Sequence, residues 1–192
     1  MKVKNISFVA MFAALTAIGA FIKIPIPYIP FTLQIVAVYL SGALLGARLG
    51  FFSQLCYIAI GLVGVPVFAD GGGFTYVLKP SFGYLLGYAI AAFVGGLLIH
   101  RYRYTSFRAI FLSNLFSLFI VYLIGCAWLY MAMKWLLQAP LSAKQVIVTG
   151  FLLPVPGDLI LCLFSTLLIM KISPQINRYL GKENKKWAKP SL

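Results

Sequence analysis

The sequence predicts an all-α integral membrane protein of six transmembrane helices, the sixth of them broken. Three observations carry that prediction. Apolar residues make up 62% of the chain, charged residues only 10%, and mean hydropathy is +0.97. A soluble domain of this size does not hide so much apolar surface. The apolar residues also gather into six runs, each long enough to cross about 30 Å of hydrocarbon. Finally, Lys and Arg are shared unevenly between alternate loops, as in cytoplasmic and translocated segments.

The runs cover about residues 6–22, 31–47, 50–68, 82–99, 109–133 and 145–170, within one membrane domain of residues 1–192. Charge, proline or glycine interrupts them at Lys23 with Pro25, Pro27 and Pro30, at Arg48, at Asp70 to Gly73 with Lys79, at His100 to Arg108, and at Lys134 to Lys144. These are loop signals. Six crossings put both termini on one side. With that side cytoplasmic it holds Lys2, Lys4, Arg48, Arg101, Arg103, Arg108, Lys171, Arg178, Lys182, Lys185, Lys186 and Lys189, leaving Lys23, Lys79, Lys134 and Lys144 outside. The net charge of +13 is therefore a topology signal, with the basic tail at 171–192 as a cytoplasmic lipid anchor, and nucleic-acid binding is not expected. Lys2 and Lys4 before an apolar stretch also resemble a signal peptide, but the run is long and its removal would upset the charge asymmetry.

Small residues four apart mark close helix contacts: Ala10 and Ala14, Gly42 and Gly46, Gly46 and Gly50, Gly83 and Gly87. Most of these are expected inside the bundle. The first helix is peripheral in many bundles, so Ala10 and Ala14 could meet another subunit. Cys56, Cys126 and Cys162 all lie in apolar runs with no disulfide or metal spacing, and are expected to pack as small apolar residues.

Catalytic material is scarce. The chain has one histidine, His100, and three acids, Asp70, Asp158 and Glu183, and it carries no nucleotide fingerprint. A membrane-embedded enzyme is thus the least favoured class, and no cofactor or metal is expected. Asp158 is the most informative residue, because a carboxylate within a membrane run is costly and faces a cavity or a partner. The helix from Leu159 to Met170 would be only about 18 Å long. Gln145 to Leu153 must therefore complete the crossing, which puts Pro154, Pro156 and Gly157 inside the span. Proline there removes backbone hydrogen bonds, and interrupted helices mark binding sites in transporters. An aspartate that merely caps the second half-helix gives the same pattern.

Two outer loops flank this position. Val67 to Pro80 combines Asp70, three glycines, Phe74, Tyr76 and Lys79, which suits either a cover over an anionic ligand or a connector with a snorkelling lysine. Pro25 to Pro30 is stiff and apolar and can wall a pocket. Gln34, Tyr39, Tyr84, Tyr88 and Asn114 are uncharged hydrogen-bonding groups within spans, with Gln34 and Tyr84 nearest the outer loops.

IPFTLQ at 29–34, SGALLG at 41–46, GVPVFADGGG at 64–73, KPSFGYLLGY at 79–88 and PVPGD at 154–158 resemble, in this order, the BioY family. These are the biotin-binding S-components of energy-coupling factor (ECF) transporters. The resemblance implies a six-helix S-component bundle in the plasma membrane that captures biotin from outside. It also implies work with a transmembrane coupling subunit and two cytoplasmic ATPases, while the chain itself hydrolyses nothing. Ala10 and Ala14 match the family's Ala-x-x-x-Ala docking surface. Asp158 matches the family motif and would accept from the ureido N–H groups. By position, Gln34 and Tyr84 would border the pocket, Lys79 would face the valerate carboxylate, and Phe68 and Phe74 would cover the apolar ring. Leu161 departs from the family, many members having lysine there. An S-component for another vitamin and an independent secondary biotin transporter are the alternatives.

Overall fold

In a computed structural model of the protein, residues 3–101, 106–139 and 141–180 are described, the last eight of them by backbone alone. The apolar stretch at the N-terminus, free of proline, forms helix α1, Val3–Phe21. Three prolines then prevent any helix from continuing, and the chain turns through a hairpin of β1, Lys23–Ile24, and β2, Phe31–Thr32. The strands are antiparallel, with Lys23 opposite Thr32 and Ile24 opposite Phe31.

Helices α2, Gln34–Leu45, and α3, Ala47–Leu62, follow with only Gly46 between them. Gly46 has φ 85°, a conformation that costs a side chain but not glycine. Its N–H closes α2 on the Gly42 carbonyl at 3.1 Å, while its carbonyl accepts the Gly50 N–H at 2.9 Å to open α3. The run at 31–47 is thus longer than α2, of 12 residues, while α3, of 16, starts at Ala47 ahead of the run at 50–68, so that Arg48, read as a break, lies in its first turn. Apolarity at Phe31 belongs to the hairpin, and apolarity from Val63 to Phe68 belongs to a loop that starts where Gly64 takes φ 117°.

A 3₁₀ turn at Phe74–Leu78 leads into α4, Phe82–Arg101. Helix α5, Phe107–Met131, widens into a π turn at Ala132–Leu136. The last crossing combines α6, Ala143–Ile147, a second π turn at Val148–Leu152, and α7, Val155–Leu180. Among the described residues four helices are long and apolar enough to span a membrane: Val3–Phe21, Phe82–Arg101, Phe107–Leu136 and Ala143–Ile172, with α2 and α3 as shorter apolar helices. Helix α7 runs ten residues into the segment read as the basic tail, and residues 181–192 lie outside the described residues.

Helix α4 is central and packs on α2, α3 and α5; α1 lies against α2 and α3, and α7 against α2 and α5. Small residues permit this closeness. A Cβ on Gly50 would come within 2.9 Å of Gly42 Cα, and one on Gly96 within 2.6 Å of the Ala47 nitrogen. Gly83 and Gly87 face Trp128 and Val121 of α5 in the same way. The glycine pairs therefore serve contacts inside the bundle. Ala10 and Ala14 differ: both are exposed, beside Met11, Leu15 and Ile18, while Val9, Phe12, Ala13 and Thr16 form the buried face of α1. That face is held by a buried polar cluster in which Gln54 Nε2 lies 3.2 Å from Thr16 Oγ1 and 3.4 Å from Ser41 Oγ.

Candidate ligand pocket

Pro154 and Pro156 have no N–H, so the carbonyls four residues earlier, on Gly150 and Leu152, lose their α-helical donors. The chain responds by widening. Leu153 N–H reaches back five residues to the Val148 carbonyl at 3.0 Å, and the Gly150 carbonyl accepts instead from the Tyr84 hydroxyl at 2.8 Å. Such π turns are frequent at functional sites. Ahead of the prolines, hydrogen bonding is thus rerouted in part through Tyr84 of α4. The upstream end at α6 is fixed by a reciprocal cap, with Gln145 N–H donating to Ser142 Oγ and Ser142 N–H to Gln145 Oε1.

This geometry starts α7 at Val155 and puts Asp158 in its first turn, its N–H on the Pro154 carbonyl at 3.1 Å. The Asp158 carboxylate lines a pocket bounded by Thr32, Tyr84, Tyr88 and Tyr122 on its polar side. Ile29, Pro30, Phe31, Ile35, Val121 and Pro154 form the apolar walls. The cavity among these residues is about 30 Å³. That is roughly a tenth of the ~300 Å³ at which ligand sites start, so the walls must part to admit a guest of that size. Tyr122 donates its hydroxyl hydrogen to Asp158 Oδ2. Its ring stands edge-on to Tyr84 at 6.2 Å and to Phe151 at 5.0 Å.

Of the residues singled out from the sequence, Asp158, Tyr84 and Tyr88 line this pocket with Pro30 and Pro154, and the donor of Tyr84 is engaged by Gly150. Gln34, Phe68, Phe74 and Lys79 are not among its lining residues. Gln34 is buried one layer behind: Thr32 Oγ1 donates to Gln34 Oε1 at 3.0 Å, Gln34 Nε2 to Tyr57 at 2.6 Å, and Tyr57 to the Val67 carbonyl at 3.1 Å. This chain of bonds ties the pocket wall at Thr32 to the loop at 63–81. Phe68 turns inward from that loop, edge-on to Tyr57 at 5.4 Å and against Tyr76 at 4.4 Å. Burial pushes the Tyr76 phenol above its ordinary range, so that it stays neutral. Phe74 is 78% exposed.

The hairpin and the loop at 63–81 are clasped through Asp70. Lys23 pairs with Asp70 Oδ1 at 2.8 Å and also donates to the Ala69 carbonyl, while Lys79 donates to the Asp70 carbonyl at 2.9 Å with its ammonium 4.9 Å from the Tyr76 ring centre. Sequence reasoning passed over Tyr122, Phe31, Thr32 and Val121. A signal for Tyr122 was present, since Ser113, Ser117, Val121 and Gly125 recur every four residues along α5 and mark the inward stripe beside which it sits.

The BioY family profile matches residues 1–178. The chain belongs to the BioY family. Among its relatives, a probable biotin transporter BioY of Lysinibacillus sphaericus is 49% identical over 168 residues, covering 88% of this chain and 86% of the relative. One from Pyrococcus horikoshii is 44% identical over 130 residues, covering 67% of this chain and 76% of the relative. The fold is similar to the 2.1 Å crystal structure of the S-component for biotin from an ECF-type ABC transporter, with TM-score 0.78, 26% identity, and coverage of 90% of this chain and 92% of the other. BioY relatives are named as transporters, and with its membrane-length helices this chain is a multi-pass membrane protein of a transporter family rather than an enzyme.

Proposed function

We propose that this chain is the biotin-capture S-component of an uptake transporter, taking biotin at the Asp158 pocket from outside and delivering it with a coupling subunit and two ATPases. The observation that carries this reading is a membrane carboxylate facing a pocket at a proline-built helix start, in a chain of the BioY family. Six crossings with both termini cytoplasmic in the plasma membrane, the sixth interrupted at Pro154 to Gly157, accommodate the short helices α2 and α3 together with the four longer ones.

In this reading Asp158 accepts from a ureido N–H, and the apolar walls hold the fused ring. Tyr84 shapes the pocket by holding the Gly150 carbonyl. Gln34 and Phe68 support it from behind, tying it to the outer loop. Lys79 spends one of its three donors on Asp70 and keeps others for the valerate carboxylate, and Phe74 lies above as apolar cover. Ala10 and Ala14, exposed on α1, form the docking surface for the coupling subunit.

Equilibrium binding to the purified chain, comparing biotin, desthiobiotin, thiamine and riboflavin, tests the proposal. Retention of biotin with no measurable binding of thiamine or riboflavin is expected, and Asp158→Ala should abolish most of it. Selective retention of another vitamin, or biotin binding indifferent to Asp158, would overturn it.

A further inference from the structure

A carboxylate inside a membrane bundle needs hydrogen-bond donors or a cation to hold its charge. Among the described residues no Lys, Arg or His lines the Asp158 pocket, and the residue one turn on, Leu161, is apolar and packed against the core. The Tyr122 hydroxyl, on Oδ2, is the side-chain donor that the described residues give this carboxylate. Tyr122 is itself immobilised: it is 4% exposed, and its ring is wedged edge-on between Tyr84 and Phe151. Tyr84 in turn is fixed by Gly150. A rigid donor on one oxygen sets the plane of the carboxylate and leaves Oδ1, which has no side-chain donor among the described residues, as the acceptor for a ligand N–H.

We propose that Tyr122 is the positioning residue of this site: by holding Asp158 Oδ2 it orients Oδ1 toward the incoming ligand and makes the pocket selective for ligands that present a urea-type N–H. This rests on the biotin-capture reading. Removing the hydroxyl while keeping the ring lets the carboxylate rotate among its rotamers and withdraws a charge-assisted hydrogen bond, so affinity falls only for ligands that use that oxygen.

The test is a double-mutant cycle in the full chain, with Tyr122→Phe, Asp158→Ala and the pair, read with biotin and with biotin methylated at both ureido nitrogens. Tyr122→Phe is expected to weaken biotin about tenfold, as the loss of a hydrogen bond to a charged group does. It should leave the weak binding of the methylated ligand unchanged, and it should cost less than about threefold once Asp158 is already alanine. If thermal unfolding shows the phenylalanine variant to be misfolded, Tyr122→3-fluorotyrosine, which keeps the ring and hydroxyl but alters the donor strength, should change biotin affinity and leave the methylated ligand unaffected. A loss that persists in the Asp158→Ala background, or that falls equally on both ligands, would show a packing role and overturn the inference. So would full biotin affinity in Tyr122→Phe while Asp158→Ala weakens binding severely but measurably, an outcome that leaves the biotin site itself standing. Full affinity in Asp158→Ala would remove both.

Discussion

Tyr84→Phe should destabilise the bundle by leaving one buried carbonyl without a donor, and the cost should disappear when that donor is restored in another way. In the native chain Pro154 withholds the N–H that an α-helix would direct to the Gly150 carbonyl, and Tyr84 replaces it at 2.8 Å. An unsatisfied buried acceptor costs about 1–3 kcal/mol in soluble cores. Hydrogen bonds within membrane bundles are worth less, about 0.6 to 1.7 kcal/mol. Phenylalanine keeps the ring against Tyr122, so about 1 kcal/mol is the expected loss, all of it from the hydroxyl. In a Pro154→Ala background the residue 154 N–H is available to Gly150, and Tyr84→Phe should then cost less than about 0.5 kcal/mol. Reversible denaturant unfolding in detergent micelles, followed by circular dichroism, measures all four members of the cycle. Equal costs in the two backgrounds would refute the account of how the prolines and Tyr84 cooperate.

Three other perturbations probe separate parts of the structure. Gly42→Val should lower unfolding stability by about 2 kcal/mol or more through overpacking, since even a Cβ there would lie 2.5 Å from the Ala92 carbonyl; a thermal scan in detergent reads it. Lys79→Ala should weaken biotin several-fold more than it weakens the biotin amide in an equilibrium titration, because only the free acid offers a carboxylate to the ammonium; equal losses would reject that contact. Ala10→Trp with Ala14→Trp should leave biotin binding to the isolated chain unchanged, since both positions are exposed on α1 away from the pocket, yet abolish co-purification with the coupling subunit.

Where a side chain's role is set by its neighbours along the chain, the sequence was a good guide. PVPGD carries the acid, and α7 does start just ahead of Asp158. The glycine pairs at 42, 46, 50, 83 and 87 indicated tight helix crossings, and each faces a neighbouring helix or a turn. Reading failed at the ends of apolar runs. Val63 to Phe68 continues the composition of α3, but Gly64 turns the chain into a loop whose Phe68 packs inward. Hydropathy cannot separate a membrane-spanning residue from one that a loop folds back into the bundle, since both are simply apolar.

Composition, charge asymmetry and proline placement alone determined that this chain lives in a bilayer, in several crossings, with one acid held at the start of a helix. These follow from transfer energies and missing N–H groups, which every residue carries wherever it ends up. Only the tertiary structure decided who meets that acid. Tyr122 and Asp158 are 36 positions apart, Tyr84 and Gly150 66 apart, and Gln34 and Tyr57 23 apart. Contacts at such separations depend on the crossing and rotation of whole helices, which are the joint outcome of all the small-residue packing in the bundle rather than a property of any local stretch.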